Sequence, residues 1–117
     1  MASNILVLLV ALLHLYFLIL EMFLWDKPKG MKTFGTTQEY ANASKALAAN
    51  QGLYNGFLSA GLIWGLLAKN NSHDIKIFFL SCVIVAGLYG AKTVNKRIFF
   101  VQALPAIIAI LLLLLKL

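Results

Sequence analysis

An ionisable pair inside an apolar segment is the first place in this chain where chemistry could occur. His14 and Glu21 lie in residues 5–25, which otherwise carry only apolar and aromatic side chains. Seven residues apart on a helix, they share one face and are separated by roughly 10.5 Å along the axis. An acid and a base in a low-dielectric site can act as proton donor and acceptor. Two plainer interpretations stay open: an interfacial carboxylate beside Trp25, and a structural histidine bonded to a Tyr or Gln.

Metal chemistry finds little support in the sequence. No HExxH or CxxC motif is present, and the other histidine, His73, falls in a polar loop. The other ligands for a metal at His14 and Glu21 would have to come from other helices. Cys82 is the only cysteine, so no internal disulfide is possible. The sequence predicts no metal site, and it leaves the cofactor unknown.

A second polar group opens the stretch "NQGLYNGFLSAGL". Gln51 and Asn55 are four residues apart and share a helix face, with Tyr54 at its edge and Asn50 on the neighbouring strip. In lipid, buried amides hold helices together at about 0.6 to 2 kcal/mol each. The simplest interpretation is that these residues are packing contacts. The alternative is that they contribute amides and a phenol to a polar pocket.

The elements that position these groups are predicted to be transmembrane helices. The 117 residues are 62% hydrophobic and 12% charged, and form a single predicted domain, residues 1–117. Four apolar runs, residues 5–25, 46–68, 75–91 and 98–115, match the roughly 17–25 residues needed to cross a hydrocarbon core. They are apolar on all sides, unlike helices of a water-soluble domain. We therefore predict an all-α, integral membrane four-helix bundle.

The distribution of basic residues predicts the orientation. With four spans, loops 26–45 and 92–97 share one side of the membrane. That side carries seven of the ten basic residues, Lys27, Lys29, Lys32, Lys45, Lys92, Lys96 and Arg97. The positive-inside rule then predicts a multi-pass inner-membrane protein with these loops in the cytoplasm and both termini outside, periplasmic or extracellular. The net charge of +6 is attributed to this topology and to anionic lipid headgroups, and no nucleic-acid motif is present.

The segment between the first two spans is the only long connection. Pro28, Gly30 and Gly35 indicate turns. Thr36 and Glu39 then fit a capping box, which predicts a short amphipathic helix at the interface or an extension of the second span. Lys76 and Lys92 flank the third run, where their side chains are expected to reach opposite interfaces.

In this topology the polar residues of all four spans converge on the cytoplasmic half of the membrane. The predicted ligand-binding residues are Glu21, Asn50, Gln51, Tyr54, Asn55, Tyr89 and Gln102, with His14 deeper. Pro105 is expected to kink the fourth helix one turn after Gln102, because it frees a carbonyl.

The motifs "HLYFLILEMFLW", "NQGLYNGFLSAGL", "AGLYGAKT" and "QALPA" occur in this order over nearly the whole chain. With them the chain resembles a small bacterial membrane family known as domain of unknown function thirteen-oh-four. The resemblance implies a four-span integral membrane protein and brings no established activity or substrate.

Three classes of function are compatible with these residues. The preferred hypothesis is a membrane protein that binds a small apolar or amphiphilic ligand, lipid-like or quinone-like, because binding requires only a polar pocket. The alternative is an intramembrane enzyme of the isomerase type, with His14 and Glu21 as candidate catalytic residues. The further alternative is a structural or accessory subunit. A homo-oligomer through Gly52 and Gly56, or through Gly61 and Gly65, is a further prediction from the two GxxxG motifs.

Overall fold

The computed structural model describes all residues, 1–117, and contains helices and no strands. The elements in chain order are α1 (Ala2–Met22), α2 (Pro28–Phe34), α3 (Gln38–Leu67), α4 (Ser72–Thr93), a π-helical segment (Phe99–Ala103) and α5 (Leu104–Leu114). The all-α class predicted from the sequence is confirmed.

Two of these helices are long and apolar enough to cross a membrane, α1 and α4. The π-helical segment and α5 together form a shorter apolar helix, Phe99–Leu114. The helix α3 has 30 residues and is long enough to cross a membrane, but Asn50, Gln51 and Asn55 lower the mean hydropathy of its apolar part. The four-span membrane arrangement therefore stays a prediction.

The segment expected to be a turn after α1 contains a helix of its own, α2. Pro28 begins it at a position where a missing N–H costs nothing, because the first N–H groups of a helix have no partner within it. Gly35 ends it in the left-handed region, with φ of 67°, and its N–H bonds to the Met31 carbonyl. The prediction of turns alone was wrong here because Pro28 and Gly35 mark the two ends of a helix as well.

The polar stretch after α2 is an extension of the second apolar run, as one of the two alternatives predicted. The helix α3 runs from Gln38 to Leu67 without interruption. Its cap lies one residue later than expected, because the Thr37 hydroxyl accepts the Tyr40 N–H at 3.2 Å. The Thr36 hydroxyl is buried and has no hydrogen-bond partner, so the predicted capping box is wrong.

The chain divides into two compact units. The core unit comprises Met1–Leu12 and Leu58–Leu117, and the Glu21 unit comprises Leu13–Phe57. The core unit brings together parts of α1 and α3 with α4 and α5, whose shared apolar residues are Val7, Val10, Ala11, Leu62, Leu80, Val83, Ala106, Ala109 and Leu113. The core unit is thus a small four-helix cluster.

Polar contacts tie α1 to its neighbours inside the core unit. The Ser59 hydroxyl donates to the Ala11 carbonyl at 2.8 Å, and Lys76 Nζ donates to Asn4 Oδ1 at 2.6 Å. Lys76 is 7% exposed, so it does not extend to an interface as predicted. Its ammonium bonds to the Asn4 amide instead, which joins the start of α4 to α1.

The α4 helix approaches the π-helical segment closely at Gly87. A Cβ added at Gly87 would lie 2.8 Å from the Ala103 nitrogen and 2.9 Å from its Cβ. Ala103 ends the π-helical segment, in which the Leu104 N–H bonds to the Phe99 carbonyl five residues earlier. Pro105 follows Leu104 and has no N–H to donate to the Val101 carbonyl. In the wider π-helical turn, the proline ring avoids a steric clash with that carbonyl. The predicted irregularity at Pro105 thus takes the form of a π-helical turn.

Candidate functional site

The Glu21 unit contains a buried carboxylate with amide partners. Glu21, near the end of α1, is 3% exposed. Asn55 Nδ2 on α3 donates to Glu21 Oε1 at 2.5 Å, and the Gln51 side chain lies near the same carboxyl. Gln51 and Asn55 are one helical turn apart, so both reach the carboxyl from the same face of α3. These three residues are called the Glu21 group below.

A close approach of α1 and α3 brings the Glu21 group together. Gly52 lies between Gln51 and Asn55, and a Cβ there would come within 3.1 Å of Glu21 Cβ and 3.2 Å of the Leu18 carbonyl oxygen. Any side chain at this position would therefore push the two helices apart. The glycine makes a short hydrogen bond between Asn55 and Glu21 possible.

His14 is buried on the same face of α1, two turns before Glu21. It has no exposed surface, and its ring packs edge-on against Phe17 with centroids 5.4 Å apart. Two titratable side chains in one apolar helix are therefore both shielded within the Glu21 unit. Such shielding is what acid–base chemistry and ligand binding both require.

The end of α1 and the polar part of α3 are fastened by two further contacts. Trp25 Nε1 donates to Ser44 Oγ at 3.0 Å, and Lys45 Nζ lies 3.0 Å from Asp26 Oδ2. The hydrogen bond and charge of Lys45 hold the pKa of Asp26 below its usual range. The Trp25 ring also packs on Phe34 of α2, with centroids 5.0 Å apart. These contacts were missed from the sequence, where Lys45 counted only toward the positive charge of loop 26–45.

The other predicted ligand-binding residues have more open surroundings. Asn50 is exposed, and Tyr54 is 65% exposed with its ring edge-on to Phe57. In the core unit, Tyr89 is 70% exposed and Gln102 is half-buried in the π-helical segment. Of the seven predicted residues, a hydrogen bond joins Glu21 and Asn55, and Gln51 lies near the same carboxyl. The membership of the other four in one site stays a prediction.

The glycines proposed for an oligomer contact lie against the chain's own side chains. A Cβ at Gly52 or Gly56 would meet Met22 or Leu18. In the core unit, a Cβ at Gly61 would overlap the Phe79 ring, and a Cβ at Gly65 would overlap the Lys76 side chain. Both GxxxG motifs thus pack against residues of the same chain, and an oligomer through these glycines stays a prediction.

Comparison with known proteins gives the family. The family model described as "Protein of unknown function (DUF1304)" matches residues 8–114. The chain is also 35% identical over 109 residues to the "Uncharacterized protein YpaA" of Lactococcus lactis subsp. lactis (strain IL1403), and the match covers 92% of each chain. No solved structure matches it. The resemblance stated from the sequence motifs is therefore confirmed, and the chain belongs to this family of unknown function.

Proposed function

We propose that the protein is a four-span integral membrane protein that binds a small apolar or amphiphilic ligand, lipid-like or quinone-like, at the Glu21 group. The observation that carries this proposal is the nearly complete burial of the Glu21 carboxyl, bonded to amides in an otherwise apolar helix. An ionised carboxylate costs about 2.5 to 3.5 kcal/mol at the centre of a transmembrane helix, and it costs less near the helix end where Glu21 lies. Residues of this kind mark functional sites in membrane proteins more often than packing contacts.

The outward-facing surface of the helices supports the membrane setting. Only 33% of the apolar window of α1 and 22% of that of α4 is buried inside the protein. A core helix of a water-soluble protein would bury most of these side chains. Large apolar residues such as Leu9, Phe78 and Val85 are instead more than half exposed. Lipid is the surrounding in which such exposure carries no penalty.

The orientation follows from the basic residues. Loops 26–45 and 92–97 carry most of the positive charge and are assigned to the cytoplasm. The Met1 amine and the Ala2 N–H both donate to the Leu117 carbonyl, at 2.8 and 2.9 Å. Termini that meet in this way support an even number of spans, with both termini on the same side of the membrane.

The chemistry of the Glu21 group indicates the kind of head group it would bind. An ionised carboxylate offers about four lone-pair positions, and the Asn55 amide occupies one of them. The remaining positions accept hydrogen bonds, so a ligand with a hydroxyl or another donor is favoured. Gln51 is exposed, so the head group is expected to approach from its side of α3.

Quenching of tryptophan fluorescence tests the proposal. Trp25 lies four residues after Glu21, and a Trp64→Phe background leaves it as the only reporter. Decylubiquinol, which donates through its hydroxyls and, like its oxidised form, is expected to quench indole fluorescence, is titrated into the protein in detergent. We expect saturable quenching that weakens at least tenfold in Glu21→Leu, because a hydrogen bond to a charged group contributes about 1.5 to 3 kcal/mol.

Asn42→Ala is the matched control, since Asn42 is an exposed amide on the same helix and is not among the predicted ligand-binding residues. It should leave the quenching curve unchanged. Equal, non-saturating quenching in all three proteins would mean that the probe only partitions into the micelle, which would contradict binding at the Glu21 group.

An intramembrane enzyme is the second candidate, favoured by the burial of His14 in the same unit as Glu21. The two groups would act as proton acceptor and donor on an apolar substrate held between them. Glu21→Gln separates the candidates: it keeps the hydrogen-bonding shape, so binding largely survives, whereas proton transfer collapses. A structural or accessory subunit is the remaining alternative, and it predicts that neither property depends on Glu21.

A further inference from the structure

One face of α4 is left uncovered by the rest of the core unit. A groove of about 550 Å³ runs along it, lined by Phe78, Ser81, Cys82, Val85, Ala86 and Tyr89. These residues follow a spacing of three and one, so they form one stripe of the helix. A second groove of about 380 Å³ shares Phe78 and continues past Trp64. Almost the whole lining is apolar.

The groove has the length of one half of a bilayer. From Phe78 to Tyr89 the helix rises roughly 16 Å, since each residue adds 1.5 Å. The hydrocarbon core is about 30 Å thick, so one leaflet is about 15 Å. A groove of this length and apolarity fits a single acyl chain. Tyr89 is 70% exposed at one end, where a phenol is typical of the headgroup level.

The end of the groove at Tyr89 is strongly positive. Three exposed basic residues follow Tyr89 within eight positions of the sequence: Lys92, Lys96 and Arg97. No Asp or Glu side chain follows Asp74 in the sequence, and Asp74 lies at the opposite end of α4. The core unit therefore supplies no side-chain carboxylate to neutralise these three charges. Their complement is an anionic group at the membrane surface.

We propose that this face of α4 binds one anionic phospholipid of the cytoplasmic leaflet. One acyl chain lies in the groove from Phe78 to Tyr89, and the phosphate contacts Lys92, Lys96 and Arg97. This proposal is separate from the Glu21 group, which lies in the other unit. It rests on the membrane-spanning placement of α4 in the proposed function.

Cys82 provides the test, because it is the only cysteine and lines the groove. The purified protein in neutral detergent is treated with N-ethylmaleimide, and the rate of Cys82 modification is followed by intact mass. Phosphatidylglycerol should slow the modification at concentrations where phosphatidylcholine with the same chains does not. Neutralising Lys92, Lys96 and Arg97 with Gln should raise the protective concentration on the order of 100-fold, from about fivefold per basic residue.

The matched control removes the same charge from α2 and its cap, as Lys27→Gln, Lys29→Gln and Lys32→Gln. It should leave the protection by phosphatidylglycerol unchanged, as all six residues are exposed and their replacement leaves packing intact. Equal protection by the two lipids, or an equal effect of the two triple variants, would overturn the proposal. So would protection that rises with protein concentration alone and coincides with a dimer mass, since a second copy would then cover the groove.

Membrane placement is measured separately, by extraction of native membranes at alkaline pH. A protein that stays in the membrane but shows no lipid selectivity at Cys82 would refute the phospholipid site alone. A protein released from the membrane would refute the proposed function as well.

Discussion

Removing the amide of Asn55 should destabilise the protein, because the buried Glu21 carboxyl then loses its hydrogen-bond donor. Asn55 Nδ2 donates to Glu21 Oε1 at 2.5 Å, and Glu21 is 3% exposed, so water cannot replace the lost donor. Hydrogen bonds to charged groups contribute about 1.5 to 3 kcal/mol, and buried pairs in membrane proteins about 0.6 to 2 kcal/mol. For Asn55→Ala we therefore expect a loss of about 1 to 2 kcal/mol in the free energy of unfolding.

The assay is reversible unfolding in mixed micelles with increasing sodium dodecyl sulfate, followed by far-ultraviolet circular dichroism. Asn50→Ala, at an exposed amide of the same helix, should change the free energy by less than about 0.5 kcal/mol. In a Glu21→Gln background, the cost of Asn55→Ala should fall, because the charged acceptor is gone. Equal losses for Asn55→Ala and Asn50→Ala, or an Asn55 effect independent of Glu21, would refute the reasoning.

Two further predictions concern the fastening of the helices. Gly87→Ala should destabilise the protein by about 1 to 2 kcal/mol in the same unfolding assay, because its Cβ would overlap the backbone of Ala103. Gly56→Ala is the control and should be nearly neutral, because its Cβ would meet only the end of the flexible Leu18 side chain. Equal effects of the two substitutions would contradict the packing argument. The Asp26–Lys45 ion pair should be sensitive to acid, because Lys45 lowers the pKa of Asp26. The pair stabilises the fold fully above the unfolded-state pKa of Asp26, about 3.9, and this stabilisation is lost as the pH falls through the lower folded-state pKa. The difference in Tm between the wild type and Asp26→Asn should therefore be present at pH 7, begin to fall near pH 4 and vanish only below the lowered pKa of Asp26 in the folded state. A difference that does not change with pH would contradict this account.

The helical class and the polar face of α1 could be predicted from the sequence because both follow from local patterns. Apolar runs of about 20 residues specify helices, and a spacing of seven puts His14 and Glu21 on one face. Hydrogen-bonding demand then makes Asn55 a plausible partner for a buried carboxyl. These inferences need only periodicity and the cost of leaving polar groups unpaired.

The direction in which each side chain faces could not be predicted in the same way. A position along a span sets the depth of a residue, but its rotation about the helix axis depends on which neighbours pack against it. Tyr54 and Tyr89 were therefore grouped with Glu21 by depth, whereas their side chains are largely exposed. Lys76 was assigned to an interface for its charge, yet Asn4 bonds to it inside the core unit.

A density map of the protein in lipid is the most direct test of the central claim, that the Glu21 group is a shielded binding site inside the membrane. Our account predicts an elongated ligand density within the hydrocarbon region whose polar end reaches the carboxyl of Glu21 beside Asn55. A map in which Glu21 faces the lipid, or in which the two side chains lie on separate surfaces, would contradict it.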